Sequence, residues 1–334
     1  MDPGDWVVWG GLGTGLIYGV VAQISGFCLN SALRNQVRHG EGHKLRAFIL
    51  ALLIALIGTQ IIGHAGLVDV SESIYAAQRV SWSLIVFGGL LFGYGMILSR
   101  GCGARSLVLL GQGNLRSLVV LLCLGISAYA TLTGVLGPLR AWITTHTAST
   151  LEHYTFASDF HRWLLTAVFS VAGSWFILRD KNFITQIRDS MSGLLIGLLI
   201  VAGWLVTGWL GIDEFEPSQP ASLTFVAPIG ASIQYLMIAT GASLSFGVVL
   251  VAGVLTGSFA SSVLTRQFKI TGFDETYRMP RYIAGGLCMG AGGALALGCS
   301  IGQGLTGMST LSFVSIVAFG AIVIGALIAL RQGH

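Results

Sequence analysis

Stretches of 16 to 22 residues without a charged side chain recur along this sequence, and no other feature constrains the fold as much. As helices they would extend about 24 to 33 Å, the scale of the ~30 Å hydrocarbon core of a bilayer. Lipid offers no hydrogen bonds to the backbone, so a segment that bonds internally as a helix is the simplest way across. Only 10% of the residues are charged, against roughly a quarter in an ordinary soluble domain, and mean hydropathy is +0.79. Glycine, 47 of 334 residues, fits the same solvent, because small residues let membrane helices approach closely. The N-terminus opens with Asp2 and Asp5 rather than a basic region, so no cleavable signal peptide is expected. The expected fold is all-α and polytopic, a single integral membrane domain over 1–334 embedded in a lipid bilayer.

Ten apolar segments qualify as candidates: 6–27, 45–62, 83–98, 117–136, 163–178, 191–210, 224–240, 246–264, 282–297 and 313–330. Lys and Arg collect on the cytoplasmic side. Arg34, Arg38, Lys44 and Arg46 fill the first loop, which places the N-terminus in the periplasm. Alternation then brings Arg100, Arg105, Arg116, Arg179, Lys181 and Arg188 inside. Segment 224–240 carries Pro228 and Gln234 and is a poor helix for lipid. If it only dips into the membrane, all Lys and Arg except Arg79, Arg140 and Arg162 fall inside, and the C-terminus is cytoplasmic. The acidic loop with Asp213, Glu214 and Glu216 falls outside. The expectation is about nine spans plus short re-entrant helices.

Residues 88–102 (GGLLFGYGMILSRGC) and 285–299 (GGLCMGAGGALALGC) match at eight positions, each pair 197 residues apart. In the nine-span topology these segments run in opposite directions. That is an inverted repeat, with halves 6–136 and 191–330 joined by a connecting helix at 163–178, an organisation common in transporters.

Five cysteines at wide spacing give no disulfide framework. Cys123 and Cys288 lie inside apolar stretches, where a thiol packs as a small hydrophobe. Cys28, Cys102 and Cys299 instead end their spans directly after Gly or Gly-Phe, in SGFCLNSALR, SRGCGARS and LGCSIGQGLTG. Glycine there permits a sharp turn and close approach of a ligand. The 16-residue segments before Cys102 and Cys299 reach about 24 Å, so their turns can sit below the membrane surface, one from each side. A short helix starting after each cysteine would point free N–H groups at an anion. Gly101, Gly103, Arg105 and Ser106 flank Cys102, and Gly298, Ser300, Gly302 and Gln303 flank Cys299.

A metal site is not expected: no CxxC pair or Met-rich path occurs. His39, His43, His146, His153 and His161 lie in loops, and His64 follows a span. No activating base stands beside a cysteine in sequence, so no catalytic residue is expected. Thiols that hydrogen-bond a sulfur-rich anion briefly and pass it on fit better. No ATP-binding Gly-rich motif occurs, no cofactor is implied, and no nucleic-acid partner is expected.

At these residues the chain resembles the YeeE/YedE family, over nearly its whole length. The strongest marks are SGFCLNSALR at 25–34, GGLLFGYGMILSRGCGARSLVLLGQGNLRSL at 88–118 and GGLCMGAGGALALGCSIGQGLTGMS at 285–309. The resemblance implies uptake of thiosulfate across the bacterial inner membrane, handed along Cys28, Cys102 and Cys299 by S–H hydrogen bonds. It also implies an hourglass-shaped helical fold and a separate TusA-like sulfur carrier as acceptor. Arg100 is a departure, since relatives often carry a smaller, uncharged lead-in. Two alternatives stay open: a membrane sulfurtransferase passing persulfide sulfur to a carrier, and a selenium-compound or metal permease.

Overall fold

The structure, a computed structural model, describes residues 3–76, 79–150, 159–180, 183, 186–211, 219–241, 243–272 and 276–333. Lys181, His153, Asp213, Glu214, Glu216 and His334 lie outside these. Thirteen helices follow in order among the described residues: α1 (Pro3–Ser25), α2 (Leu29–His39), α3 (His43–His64), α4 (Trp82–Leu98), α5 (Gly103–Gly111), α6 (Leu115–Leu132), α7 (Gly137–Thr147), α8 (Asp159–Leu178), α9 (Ile187–Leu205), α10 (Val226–Met237), α11 (Phe246–Leu264), α12 (Met279–Leu295) and α13 (Phe313–Arg331). Wider π-type turns extend α9 over Val206–Leu210 and follow Cys299 over Gly302–Gly307. Strand among the described residues is confined to β1 (Arg79–Ser81) and β2 (Ala148–Thr150), paired antiparallel. The protein is an all-α polytopic membrane protein.

Polar caps set several helix starts. Ser81 Oγ accepts from the Leu84 amide at 3.4 Å to open α4, and Asn114 accepts from the Arg116 amide at 3.1 Å to open α6. Gly40, at φ 70°, closes α2 in the left-handed conformation.

Seven stretches are long and apolar enough to cross a bilayer: Gly4–His39, His43–His64, Trp82–Gly111, Leu115–Leu132, Ile187–Leu210, Phe246–Leu264 and Phe313–Arg331. Two of the nine expected spans form helices without joining that set. α12 has only 17 residues, and α8 opens on Asp159, His161 and Arg162. Segment 224–240 yields the 12-residue α10, about 18 Å long and too short to cross. The expected span 117–136 stops at Leu132. Gly134, Gly137 and Pro138 then break the chain, and α7 follows with no buried side chain.

Glycine-mediated contacts organise the packing. A Cβ added at Gly88 would meet Gly292 O, Leu295 and Ala296, while one at Gly285 would meet Gly95 O and Ser99. Gly95 in turn faces Gly285 and Met289, and Gly292 faces Gly88 and Phe92. The contacts Gly88–Gly292, Gly88–Ala296 and Gly95–Met289 thus have partners in Gly285–Gly95, Gly285–Ser99 and Gly292–Phe92, obtained by exchanging the two segments 197 residues apart. Reciprocal exchange between antiparallel helices is what a two-fold axis perpendicular to both generates.

The neighbouring helices follow the same exchange of partners, their positions offset by one further residue. Gly89 and Gly93 of α4 meet Ala321, Ile322 and Ala326 of α13, while Gly286 and Gly290 of α12 meet Cys123, Leu124 and Ala128 of α6. Outside this four-helix core, α1 packs on α11 and α3 packs on α9, again as an exchanged pair. α8 packs on α3 at the periphery and exposes Val168, Val171 and Trp175.

Candidate functional site

The two Gly-Cys turns are built alike. α4 ends with the Gly101 amide bonded back to Met96 O at 3.1 Å, and α12 with the Gly298 amide bonded back to Gly293 O at 2.8 Å. The residue before each glycine, Arg100 or Leu297, sits at φ 58°. A side chain in that left-handed region costs roughly 1–2 kcal/mol. Both turns deliver the next residue, Cys102 or Cys299, into the interior from opposite ends of the antiparallel α4/α12 pair. Cys28 arrives by a different turn, through Gly26 at φ 67°.

Each cysteine then faces the amide three residues on. The Gly302 amide donates to Cys299 Sγ at 3.2 Å. Cys28 and Cys102 occupy the N-cap positions of α2 and α5, with the amides of Ser31 and Arg105 close to their sulfurs but short of a capping bond. A sulfur held by an N–H through its lone pair keeps its own S–H free to donate elsewhere.

All three thiols are free and buried. Cys28 Sγ and Cys102 Sγ lie 3.7 Å apart, within sulfur hydrogen-bond range. Cys299 is in electrostatic contact with Cys102. Tyr18 of α1, 1% exposed, is within electrostatic reach of all three cysteines, and its ring packs at 5.2 Å on Phe225. The expected trio is thus gathered around one tyrosine. Phe225 opens α10 as Cys28 opens α2, 197 residues earlier, so the second half carries a ring where the first carries a thiol.

Around Cys299 lie several buried polar atoms without hydrogen-bond partners, Ser300 Oγ, Gln303 Oε1 and Ser315 Oγ, with Tyr75 Oη nearby against Thr224. Unsatisfied buried groups are scarce in folded proteins and call for a ligand or water. Gln303 is oriented by its Nε2, which donates to Ala296 O at 2.7 Å. The Tyr75 hydroxyl lies beside Thr224 and Gly302. Burial, with the Cys299 sulfur nearby, pushes the Tyr75 phenol well up, so it remains a protonated donor.

Of the residues expected near the cysteines, Ser300 and Gln303 lie in this polar pocket, and Gly101 and Gly298 shape the turns. Gly103 packs under Ile229 and Leu124. Arg105 Nη1 donates to Ala22 O at 3.1 Å, so the guanidinium caps the end of α1 while remaining in electrostatic reach of Cys28. Cys123 packs on Gly286, and Cys288 on Gly95. No three His, Cys, Asp or Glu side chains gather as metal ligands among the described residues. Tyr18 and Tyr75 are not singled out by the sequence reading. For Phe225 a signal exists, since extending the 197-residue shift past the matched segments pairs it with Cys28.

Two curated relatives align with almost the entire chain. The thiosulfate transporter TsuA of Escherichia coli is 24% identical over 346 residues, covering 96% of this chain and 92% of that protein. The thiosulfate transporter TsuA of Spirochaeta thermophila is 24% identical over 338 residues, covering 96% and 97%. A probable transporter, YedE of Salmonella typhimurium, is 29% identical over 90 residues, 26% of this chain and 20% of its own length. The family described as Sulphur transport matches residues 24–328, which takes in all three buried cysteines, and the chain belongs to that family.

Proposed function

We propose that the protein takes up thiosulfate, or a closely related sulfur anion, across the bacterial inner membrane without covalent chemistry. The observation that carries this reading is the set of three free, buried thiols around Tyr18, with Cys299 held by the Gly302 amide. An anion entering protein loses hydration worth many kcal/mol and must find donors in its place. Thiols, hydroxyls and first-turn amides supply several weak donors, and weak successive sites let an ion both enter and leave. The full-length similarity to two proteins named thiosulfate transporters supports the choice of anion.

On this reading the anion meets Cys299 with Ser300, Gln303 and Tyr75, passes Tyr18, and leaves by Cys102 and Cys28. The two halves, 6–136 and 191–330, are inverted about the α4/α12 axis, and 163–178 connects them. The N-terminus is periplasmic and the C-terminus cytoplasmic, and a separate TusA-like carrier receives the sulfur. Uptake of radiolabelled thiosulfate into vesicles holding the purified protein tests the reading. Wild type should accumulate label, and Cys28→Ala, Cys102→Ala and Cys299→Ala should each lose at least tenfold. If all three variants match wild type, the relay is wrong. A persulfide on Cys102 or Cys299 after turnover, seen by mass spectrometry, would establish the sulfurtransferase alternative instead.

A further inference from the structure

The Cys28–Cys102 pair lies where the start of α2 meets the end of α4. Asn30 Nδ2 donates to Met96 O at 2.6 Å and fastens the first turn of α2 there. One turn beyond Asn30 stands Arg34, and one turn beyond Met96 stands Arg100. Arg34 lies within electrostatic reach of both Arg38 and Arg100. Its Nε and Nη2 atoms are buried with no hydrogen-bond partner. Neither Arg34 nor Arg100 makes an ion pair among the described residues, where His43 and Arg46 pair with Asp180.

Arg38 and Arg100 each repel Arg34 electrostatically, and a buried N–H of a cation left unpaired costs more than a neutral one. Positive-inside bias accounts for arginines at an exposed helix end. It does not account for one whose donor atoms are withdrawn from water. The two-fold relation supplies an internal comparison: the positions 197 residues on from Arg34, Arg38 and Arg100 are Ala231, Tyr235 and Leu297. Of these paired positions, one set is cationic and the other uncharged.

We propose that Arg34, Arg38 and Arg100 form a second oxyanion site, where a small tetrahedral dianion of the thiosulfate or sulfate class pauses after leaving the Cys28–Cys102 pair. Guanidinium forks match the oxygens of such anions, often two bonds at a time. The site lies at the mouth that loop charge assigns to the cytoplasm, so it is a release site for uptake. This inference rests on the anion-transport reading above and adds a residue set and a direction to it.

The test uses wild-type protein in detergent, with phenylglyoxal modification of Arg100 and iodoacetamide labelling of Cys299 followed by mass spectrometry, Cys299 labelling being scored against Cys123 in the same sample because thiosulfate itself consumes iodoacetamide. Both are measured in thiosulfate, sulfate or chloride at equal ionic strength. Thiosulfate and sulfate should slow Arg100 modification at least threefold relative to chloride. Arg34→Gln should abolish that protection while leaving thiosulfate protection of Cys299 intact. Equal Arg100 modification in all three salts, with Cys299 still protected by thiosulfate, overturns the arginine site alone. Loss of Cys299 protection in wild type would instead count against the thiosulfate reading itself.

Discussion

Cys28 Sγ and Cys102 Sγ stand 3.7 Å apart although 74 residues separate them in the chain, and both head short helices that begin at the turn. A disulfide needs the sulfurs at about 2.05 Å, a closure that side-chain rotation can supply when the Cβ atoms are close. Hydrogen peroxide should therefore join them: each thiol gives up one hydrogen, the sulfurs bond, and the peroxide is reduced to two waters. The expected result is a mass loss of two hydrogens, a Cys28–Cys102 cross-linked peptide, and uptake that stops until dithiothreitol is added. Cys28→Ser protein should resist this inactivation. Peroxide that leaves both thiols unlinked would show that the pair is shut off from water.

Replacing the cysteines separates fold from function. Serine is a strong N-cap where the Cys28 and Cys102 side chains make no capping bond, and such caps contribute about 1 kcal/mol. Cys28→Ser and Cys102→Ser should therefore melt at or above the wild-type temperature while thiosulfate uptake falls at least fivefold. Cys123→Ser should transport like wild type, because Cys123 only packs against Gly286. A matching drop in melting temperature and uptake for the Cys28 and Cys102 variants would mean their thiols serve packing alone.

The α4/α12 contact leaves no room for a side chain. A Cβ at Gly95 would lie 2.7 Å from Gly285 O, and one at Gly292 would lie 2.5 Å from the Phe92 amide. Overpacking of this kind costs about 1–3 kcal/mol. Gly95→Ala and Gly292→Ala should each lower thermal stability by that order. Gly320→Ala, with nothing within 4 Å of its Cβ, should be neutral or slightly stabilising. Equal melting temperatures for all three would contradict the close helix approach.

Much of this core was legible in sequence because it is written in small residues at fixed spacing. The matched glycines of 88–102 and 285–299 meet across the α4/α12 axis, seat the neighbouring α6 and α13, or shape the turns, so the same glycines signal both the repeat and the packing. Cys28, Cys102 and Cys299 were legible for a related reason: each follows a glycine turn that a plain lipid-facing helix does not need. Tyr18 was not legible, because an aromatic side chain in an apolar helix has the same local pattern whether it packs, anchors at an interface or lines a path. Tyr75 lies in a short 3-10 turn outside any span, and only the tertiary fold brings it to Gly302. The span count differed for a physical reason too. α12 carries glycines for close packing and ends early in a turn, so its 17 residues reach only about 25 Å, short of a ~30 Å hydrocarbon core.

Arg100 gives a test of backbone strain. It holds φ at 58° in a turn that glycine adopts without penalty. Arg100→Gly should raise stability by about 1 kcal/mol, seen as a higher melting temperature in detergent. The same substitution removes one of the three guanidinium groups at that mouth, so uptake should fall while stability rises. Stability and uptake moving together in this variant would argue that the arginine serves the turn alone.

Tyr18 distinguishes a lining group from a packing one. Its ring is held against Phe225, and its hydroxyl is the group that reaches toward the three thiols. Tyr18→Phe keeps the ring, its stacking and nearly all its volume, and removes one donor. Stability should change by less than about 1 kcal/mol, the net worth of a typical hydrogen bond. Uptake should fall several-fold, with the loss in maximal rate rather than in the half-saturating concentration, because Cys299 and its hydroxyls still receive the anion. Tyr18→Leu should lose both rate and stability, since the contact with Phe225 goes as well. If Tyr18→Phe transports at the wild-type rate, the anion does not use that hydroxyl in moving from Cys299 to Cys102.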